Sequence, residues 1–259
     1  MTDERIKLII GSLLHDVGKI IYRTSDRRTH AESGYHFLKE ETNIEDTEIL
    51  NQVRYHHARE LKATHLPENS LAYITYIADN IAAAMDRRSK EDGEKGFIKD
   101  QPLESVFNIL NGNQERKLYR PMMLDVNGVM NCPIGRKVPY TEGFYSGVKE
   151  KIKNCLLEFQ WNDAYVNAVL EILEATTIFV PSSTSTSELA DISLYDHVKM
   201  TAAIATCIHE YLLQENIIDY KTTLFKEATS FYSKQVFYLY SMDISGIQDF
   251  IYTITIKGA

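Results

Sequence analysis

The residues best suited to chemistry near the start of the chain are a histidine and an aspartate in succession, His15-Asp16, followed by Gly18 and Lys19. The apolar run around them, residues 6–21, has helical spacing, which predicts a first helix over residues 4–22. Both side chains are costly to bury without a partner. Imidazole and carboxylate are ligands of divalent metals, and adjacent helical residues lie about 100° apart, so both could bind one ion. The alternative is a buried histidine that is hydrogen-bonded to its neighbouring aspartate. Gly18 would let another backbone approach closely, and Lys19 would place a cation beside a phosphate.

Further histidines follow in the next two predicted helices. Thr29 can cap a helix from His30 to about residue 40, which places His30 in the first turn; local sequence alone favours a solvent-exposed histidine there. Residues 45–59 are typical of one amphipathic helix, in which His56 and His57 fall on competing apolar stripes. Periodicity does not choose between them, and we expect one to be a ligand and the other a rim residue.

Two more candidates lie further along the chain. Asp79 is in the middle of a helix predicted over 71–88, on a face of small residues, where its short carboxylate suits a buried ligand; pairing with Arg54 is the alternative. A capping box beginning at Ser193 opens a helix to about residue 214, and His197 lies in its first turn on the inward stripe. The alternative for His197 is a hydrogen bond to the backbone at the helix end.

Composition bounds the class of protein. The 259 residues are 44% hydrophobic and 25% charged, which is ordinary for a soluble globular protein. The three cysteines, Cys132, Cys155 and Cys207, form no CxxC pair and predict neither a zinc knuckle nor a disulfide framework. With no signal peptide or membrane span, we expect a cytoplasmic protein. The net charge of -8 disfavours non-specific coating of nucleic acid but allows a local site where a metal supplies positive charge.

The elements between the candidate residues are mostly helical, with one interruption. Residues 89–143 carry turn signals between short extended pieces, which predict an insertion with a small hairpin and no catalytic role. Helical spacing returns over 144–160 and 163–176. Residues 181–187 have the composition of a polar loop.

The final stretch changes period. Residues 236–242 are aromatic and β-branched enough to predict a buried strand, 243–246 a tight turn, and 247–254 a helix whose first amides could hold phosphate. One strand and one helix cannot form a stable sheet. We therefore expect this chain to be the front part of something longer, or to borrow the rest from a partner.

Taken together, His15-Asp16, Lys19, His30, His56-His57 and Asp79 resemble the HD superfamily of metal-dependent phosphohydrolases. A closer resemblance runs nearly end to end, except across the insertion, to the large subunit of type III-A (Csm-type) CRISPR effector complexes. The stretches that carry it are residues 11–19, 73–82, 180–184, 191–197 and 242–252.

The resemblance implies a circularly permuted HD domain, in which the helix with the first ligand histidine comes last. It implies a metal site built from His15, Asp16, His30, His56, Asp79 and His197. It also implies cleavage of single-stranded DNA, switched on when the effector complex binds target RNA, with guide RNA and other Csm-type subunits as partners and no membrane.

For the final stretch, the resemblance implies the start of the first Palm domain, with Asp243, Ser245 and Gly246 as nucleotide contacts. The family's second Palm carries Gly-Gly-Asp-Asp and makes cyclic oligoadenylates from ATP. That motif is missing here, so we expect ATP to be a cofactor of the full-length family member only.

The sequence thus predicts a mainly α fold: an HD nuclease domain over 1–225, with its insertion at about 89–143, and a truncated α+β Palm start over 226–259. Two close metals, or one with an open position, would hydrolyse a phosphodiester, and Lys19 would stabilise transition-state charge. Mn²⁺, Ni²⁺ or Co²⁺ fit the histidine-rich set better than Mg²⁺. The alternatives are an HD-type nucleotide phosphohydrolase and a catalytically silent scaffold of the effector complex.

Overall fold

The protein is mainly helical, as predicted. The computed structural model describes residues 3–86, 96–112, 114–125, 128–158, 163–243 and 245–246. Its helices, in chain order, are α1 (Asp3–Leu14), α2 (Gly18–Tyr22), α3 (His30–Glu41), α4 (Thr47–Arg54), α5 (Ala58–Ala63), α6 (Ala72–Asp86), a 3₁₀ helix (Val106–Asn111), α7 (Glu142–Leu157), α8 (Asp163–Thr177), α9 (Leu194–Gln214), a π-helix (Lys221–Lys226) and α10 (Ala228–Phe231).

Helices α1 and α9 form the centre of the bundle. They pack against each other, α6 packs on α9, and α4 packs on α1. Their directions are opposite, because Arg5 pairs with Glu210 at one end while the rings of His15 and His197 lie 5.5 Å apart at the other. Each helix contributes to two apolar clusters, one with α3, α4, α7 and α8 and one with α6 and the segments after α9. The end of α1 and the start of α9 are therefore held from several sides.

The first helix does not run from residue 4 to 22 as predicted. It ends at Leu14, and α2 begins at Gly18 after a tight turn in which Val17 N–H donates to the Leu14 carbonyl at 3.0 Å. His15 Nδ1 lies 2.7 Å from the Ser12 carbonyl oxygen, which an uninterrupted helix would pair with the next turn's amide. The side chain thus takes over a backbone partner and lets the helix stop.

The predicted single helix over 45–59 is also wrong. Helix α4 ends at Arg54 and α5 begins at Ala58, so His56 and His57 lie in the turn between them. The stripe argument does not apply to a turn. His56 Nδ1 lies 2.8 Å from the Val53 carbonyl oxygen, a second case of a histidine bonded to the last turn of a helix.

The described part of the insertion pairs through isolated β-bridges. Leu118 is bridged to Glu104 on one side and to Ile134 on the other, which is the small hairpin predicted there. Phe97 is bridged to Ser185. The polar stretch 181–187 is therefore a partner of the insertion as well as the connection that leads to α9.

The predicted buried strand over 236–242 is not formed. These residues are irregular, and the side chains of Tyr238 and Leu239 are each 92% exposed. Gly246 has a φ of +78° in the predicted turn, while the predicted helix over 247–254 lies outside the described residues. A strand needs a neighbour for its backbone groups, and the described chain offers none here. No helix in the described ranges combines the length and apolar character needed to cross a bilayer.

Candidate metal centre

The carboxylate of Asp16 is the central group of a cluster drawn from distant parts of the chain. Its Oδ1 lies 3.5 Å from Nε2 of His30 and 3.7 Å from Nε2 of His56. Its Oδ2 lies 3.4 Å from Nε2 of His15 and 3.3 Å from Nε2 of His197. The two oxygens thus face two different pairs of histidines.

Asp79 faces the same cluster from α6. Its Oδ1 lies 3.1 Å from Nε2 of His197 and 3.6 Å from Nε2 of His15. The alternative pairing of Asp79 with Arg54 is wrong, because Arg54 Nε donates to Glu32 at 3.0 Å. All six residues named by the resemblance are therefore in one place, although α9 follows α1 by some 180 positions in the chain.

Two of the histidines have their tautomer fixed by the backbone. A carbonyl oxygen only accepts, so the bonds from His15 and His56 to the carbonyls of Ser12 and Val53 place a proton on each Nδ1. In the neutral ring, Nε2 is then the atom with the free lone pair, and in both residues this is the atom that faces Asp16. Metal-binding histidines commonly donate their second ring nitrogen in this way.

The charges divide the cluster into two halves. On one side, burial by itself would lower the pKa of His15, but Asp16 and Asp79 outweigh it and raise that pKa to about 9. Burial would likewise raise the pKa of Asp16, whereas Lys19 and His15 hold it well below the usual range. Asp79 is also held ionised, against its burial, by His15 and His197.

On the other side the histidines are neutral. Burial lowers the pKa of His30 to about 4, and burial together with the neighbouring His57 lowers the pKa of His56 well below its usual value. Burial lowers the pKa of His57 as well. Neutral imidazole is the form that binds metal, so these three rings need not lose a proton first.

A divalent metal fits this arrangement. Two separate sets of three residues each have their ligand atoms within 4.8 Å of one another: His15, Asp16 and His197 form one set, and His30, His56 and His57 form the other. His15 Nε2 and Asp16 Oδ1 are buried and form no hydrogen bond with any described residue. Their spacings of 3.4–3.7 Å to neighbouring donors are close to the edge of a coordination shell with bonds of about 2.0–2.2 Å. Buried groups of this kind are stabilised by a shared cation.

Other sequence candidates occupy different surroundings. Lys19 Nζ lies 2.5 Å from Asp16 Oδ2 and borders the cluster. Asp243, Ser245 and Gly246 are exposed and do not line the cleft described next.

His36 and His209 have no place in the set implied by the resemblance, and both lie outside the cluster. His36 is half-buried, and its Nδ1 lies 2.6 Å from Oε1 of Glu40. His209 is buried in α9, with 1% exposure.

The cluster opens into a cleft of about 600 Å³. Its lining includes residues of the cluster and its border: Asp16, Lys19, His30, His57, Asp79 and His197. The cations Arg23, Arg27, Arg28 and Lys99 line it as well. Lys99 and Phe97 come from the insertion, for which sequence analysis found no role. Their only sequence signal is an aromatic residue two positions before a lysine, too common to be diagnostic.

Comparison with known proteins agrees with this geometry. Residues 1–84 match the HD domain family, and residues 236–259 match Csm1 subunit domain B. Over its whole length the chain is 40% identical to a Streptococcus thermophilus protein and 36% identical to a Mycobacterium tuberculosis protein. Each is named a CRISPR system single-strand-specific deoxyribonuclease Cas10/Csm1 of subtype III-A. The chain is a homologue of the subtype III-A Cas10/Csm1 proteins.

Solved Csm1 structures share the fold of this Cas10/Csm1 homologue. A Csm1–Csm4 subcomplex of the type III-A interference complex matches with a TM-score of 0.59 at 24% identity, over 82% of this chain and 28% of that one. Csm1 from T. onnurineus matches with a TM-score of 0.58 over 80% of this chain. The chain spans about a third of the length of the relatives it matches, 35% for the S. thermophilus protein.

Proposed function

We propose that this Cas10/Csm1 homologue is a metal-dependent phosphodiesterase that cuts single-stranded DNA. The observation that carries the proposal is the convergence of Asp16, Asp79 and four histidines on one buried point at the end of a cleft. The names of the relatives, single-strand-specific deoxyribonucleases, support the substrate class.

In this proposal the metal ligands are His15, Asp16, His30, His56, Asp79 and His197. The two oxygens of Asp16 face different pairs of histidines, so this carboxylate would contribute a ligand atom to both halves of the site. His57 Nε2 lies 2.7 Å from His30 Nε2, so His57 would be a fifth, more exposed histidine at the edge of the second set. A ligand set of four or five histidines favours Mn²⁺, Ni²⁺ or Co²⁺ over Mg²⁺.

The metal would supply a hydroxide near neutral pH and neutralise charge on the scissile phosphate. Asp16 and Asp79 would hold the ligand histidines in position, since each contacts His15 and His197. Lys19 would stabilise charge on the phosphate, because its ammonium lies at the boundary between Asp16 and the cleft. A paired duplex would have to expose its strand to enter the cleft, at a cost of a few kcal/mol per step.

The partners belong to the proposal as well. The matched structures are titled as Csm1–Csm4 assemblies, which supports docking of this chain with other Csm-type subunits. Guide RNA, target RNA and a cytoplasmic location belong to the proposal through the family resemblance alone. Asp243, Ser245 and Gly246 would contact nucleotide only within the larger protein, where ATP is the expected ligand.

One experiment tests the proposal. Labelled single-stranded DNA, duplex DNA and mononucleotides are each incubated with the protein and Mn²⁺, Ni²⁺, Co²⁺ or Mg²⁺, beside a His15→Ala/Asp16→Ala variant and a His36→Ala control. We expect single-strand cleavage by wild type and His36→Ala alone. Mononucleotide hydrolysis without strand cleavage would indicate a nucleotide phosphohydrolase. Metal binding without any turnover, in the RNA-activated complex as well, would indicate a scaffold.

A further inference from the structure

The cleft has a wall that does not come from the metal-binding helices. Phe97 and Lys99 of the insertion line it, together with Tyr22 and Arg27, which lie at the end of α2 and just beyond it. These residues carry two kinds of chemistry that bind single-stranded nucleic acid: an aromatic face and cations.

The backbone beside Phe97 is held in place. Ile98 N–H donates to the Thr184 carbonyl at 2.9 Å, and Thr186 N–H donates to the Gly96 carbonyl at 2.9 Å. The side chain of Phe97 nevertheless remains 81% exposed. An exposed aromatic ring that lines a cleft offers a face on which a nucleic-acid base can stack.

The cations Lys99 and Arg27 near Phe97 are not paired with carboxylates of the described residues. Lys99 Nζ lies 4.3 Å from the centre of the Tyr22 ring, and neither Lys99 nor Arg27 forms an ion pair with a described residue. By contrast, Arg28 is bound to Asp26 at 2.7 Å. In a chain of net charge -8, two such cations beside a metal centre form a local site for phosphate.

We infer that the insertion is a clamp for the substrate, an inference that rests on the proposed function. One base of the strand stacks on Phe97, and the neighbouring phosphate lies against Lys99 and Arg27. The strand is thereby held with its next phosphodiester at the metal centre. A duplex cannot use this wall, because the faces of its bases are already stacked on one another. Phe97 and Lys99 are binding and positioning residues here, and the metal ligands carry the chemistry.

The test compares residues within the insertion. Phe97→Ala is matched with Phe107→Ala, whose ring is 67% exposed but does not line the cleft. Lys99→Ala is matched with Lys117→Ala, also exposed and outside the cleft lining. Binding of a labelled oligothymidylate of about ten nucleotides, a length within the usual single-strand site size, and of an abasic strand of equal length is measured by anisotropy in EDTA, which prevents cleavage. KM and kcat on the oligonucleotide and hydrolysis of bis(p-nitrophenyl) phosphate are then measured with Mn²⁺.

We expect Phe97→Ala to weaken oligothymidylate binding about 5- to 100-fold, the usual value of one stacked base. It should leave abasic-strand binding unchanged, and Phe97→Tyr should restore binding. KM should rise with kcat and bis(p-nitrophenyl) phosphate hydrolysis retained. Lys99→Ala should reduce the dependence of log K on log salt by about 0.7. The two control variants should match wild type.

Three results would overturn the clamp: equal losses for Phe97→Ala and Phe107→Ala, an equal loss on the abasic strand, or no binding of oligothymidylate by wild type. Failure of the proposed function is separate. If wild type hydrolyses neither substrate, the proposed activity is refuted, while the binding measurements still decide whether the clamp exists.

Discussion

The metal centre and the segment 236–243 differ in whether their residues find the partners that they require. Asp16 is 2% exposed and lies among candidate ligands from α3, α6, α9 and the turns after α1 and α4, whereas Leu239 is 92% exposed in an irregular stretch. In the centre, each buried polar group is surrounded by others that it can share a cation with. In the segment, strand-forming residues have no neighbouring strand among the described residues. Residue type therefore determines which partners a segment requires, and the surrounding contacts determine whether those partners are present.

The largest effect is expected from removal of the central carboxylate. Asp16→Ala should abolish single-strand cleavage and lower metal affinity by more than the roughly 10- to 100-fold typical of groups behind the ligands. Saturating metal should raise the Tm of wild type, because metal at 100 times Kd stabilises the folded state by about 2.7 kcal/mol. It should leave the Tm of the variant unchanged. Calorimetry with and without Mn²⁺ checks this, with His36→Ala as control. An equal rise in Tm for Asp16→Ala would contradict the assignment.

The two adjacent histidines sharpen the picture of the centre. His56→Ala should cost nearly as much cleavage activity as Asp16→Ala, because His56 is fully buried and oriented by the Val53 carbonyl. His57→Ala should cost clearly less, because its ring is only partly buried. Metal content and cleavage rate are measured for both. A dead His57→Ala beside an active His56→Ala would reverse the assignment.

Close packing beneath the ligands is tested at Gly18. A Cβ at this position would lie 1.7 Å from the His30 carbonyl oxygen, so Gly18→Ala must push α3 away. We expect a loss of about 1–3 kcal/mol in the free energy of unfolding, together with weaker metal binding. Gly147→Ala is the control, since the nearest atom to its Cβ is 3.9 Å away, and in an exposed helix it should stabilise by about 0.5–1 kcal/mol. Urea denaturation of both variants measures these changes. If Gly18→Ala left the free energy of unfolding unchanged, the close approach of Gly18 to the His30 carbonyl would be contradicted.

The smallest effect is expected in the exposed segment. Leu239→Ala should change the free energy of unfolding by no more than about 0.5 kcal/mol. Leu212→Ala, at a fully buried position of α9, should cost about 2–5 kcal/mol. Thermal unfolding of the two variants compares the same substitution at an exposed and at a buried leucine. A large loss for Leu239→Ala would mean that the segment packs on the protein after all.

Local signals predicted some elements well. Thr29 caps α3 by accepting from Glu32 N–H, and Ser193 caps α9 by accepting from Asp196 N–H, both as the capping boxes indicated. The metal cluster was predicted from a family resemblance, since periodicity alone left His56 and His57 undecided.

Contacts between distant residues explain what was missed. The breaks after Leu14 and Arg54 depend on rings that compete for backbone carbonyls, which a hydrophobic pattern does not record. The role of Phe97 depends on pairing with residues 184–186, almost 90 positions away. Neither kind of contact leaves a periodic trace in the sequence.

The bonds from His15 and His56 to helix-end carbonyls have a consequence for rates of exchange. Neither ring can swing away from the centre without leaving a buried carbonyl unpaired, which costs about 1–3 kcal/mol. A bound ion would therefore escape slowly even where its equilibrium affinity is modest, because release waits for a helix end to fray rather than for a side chain to rotate.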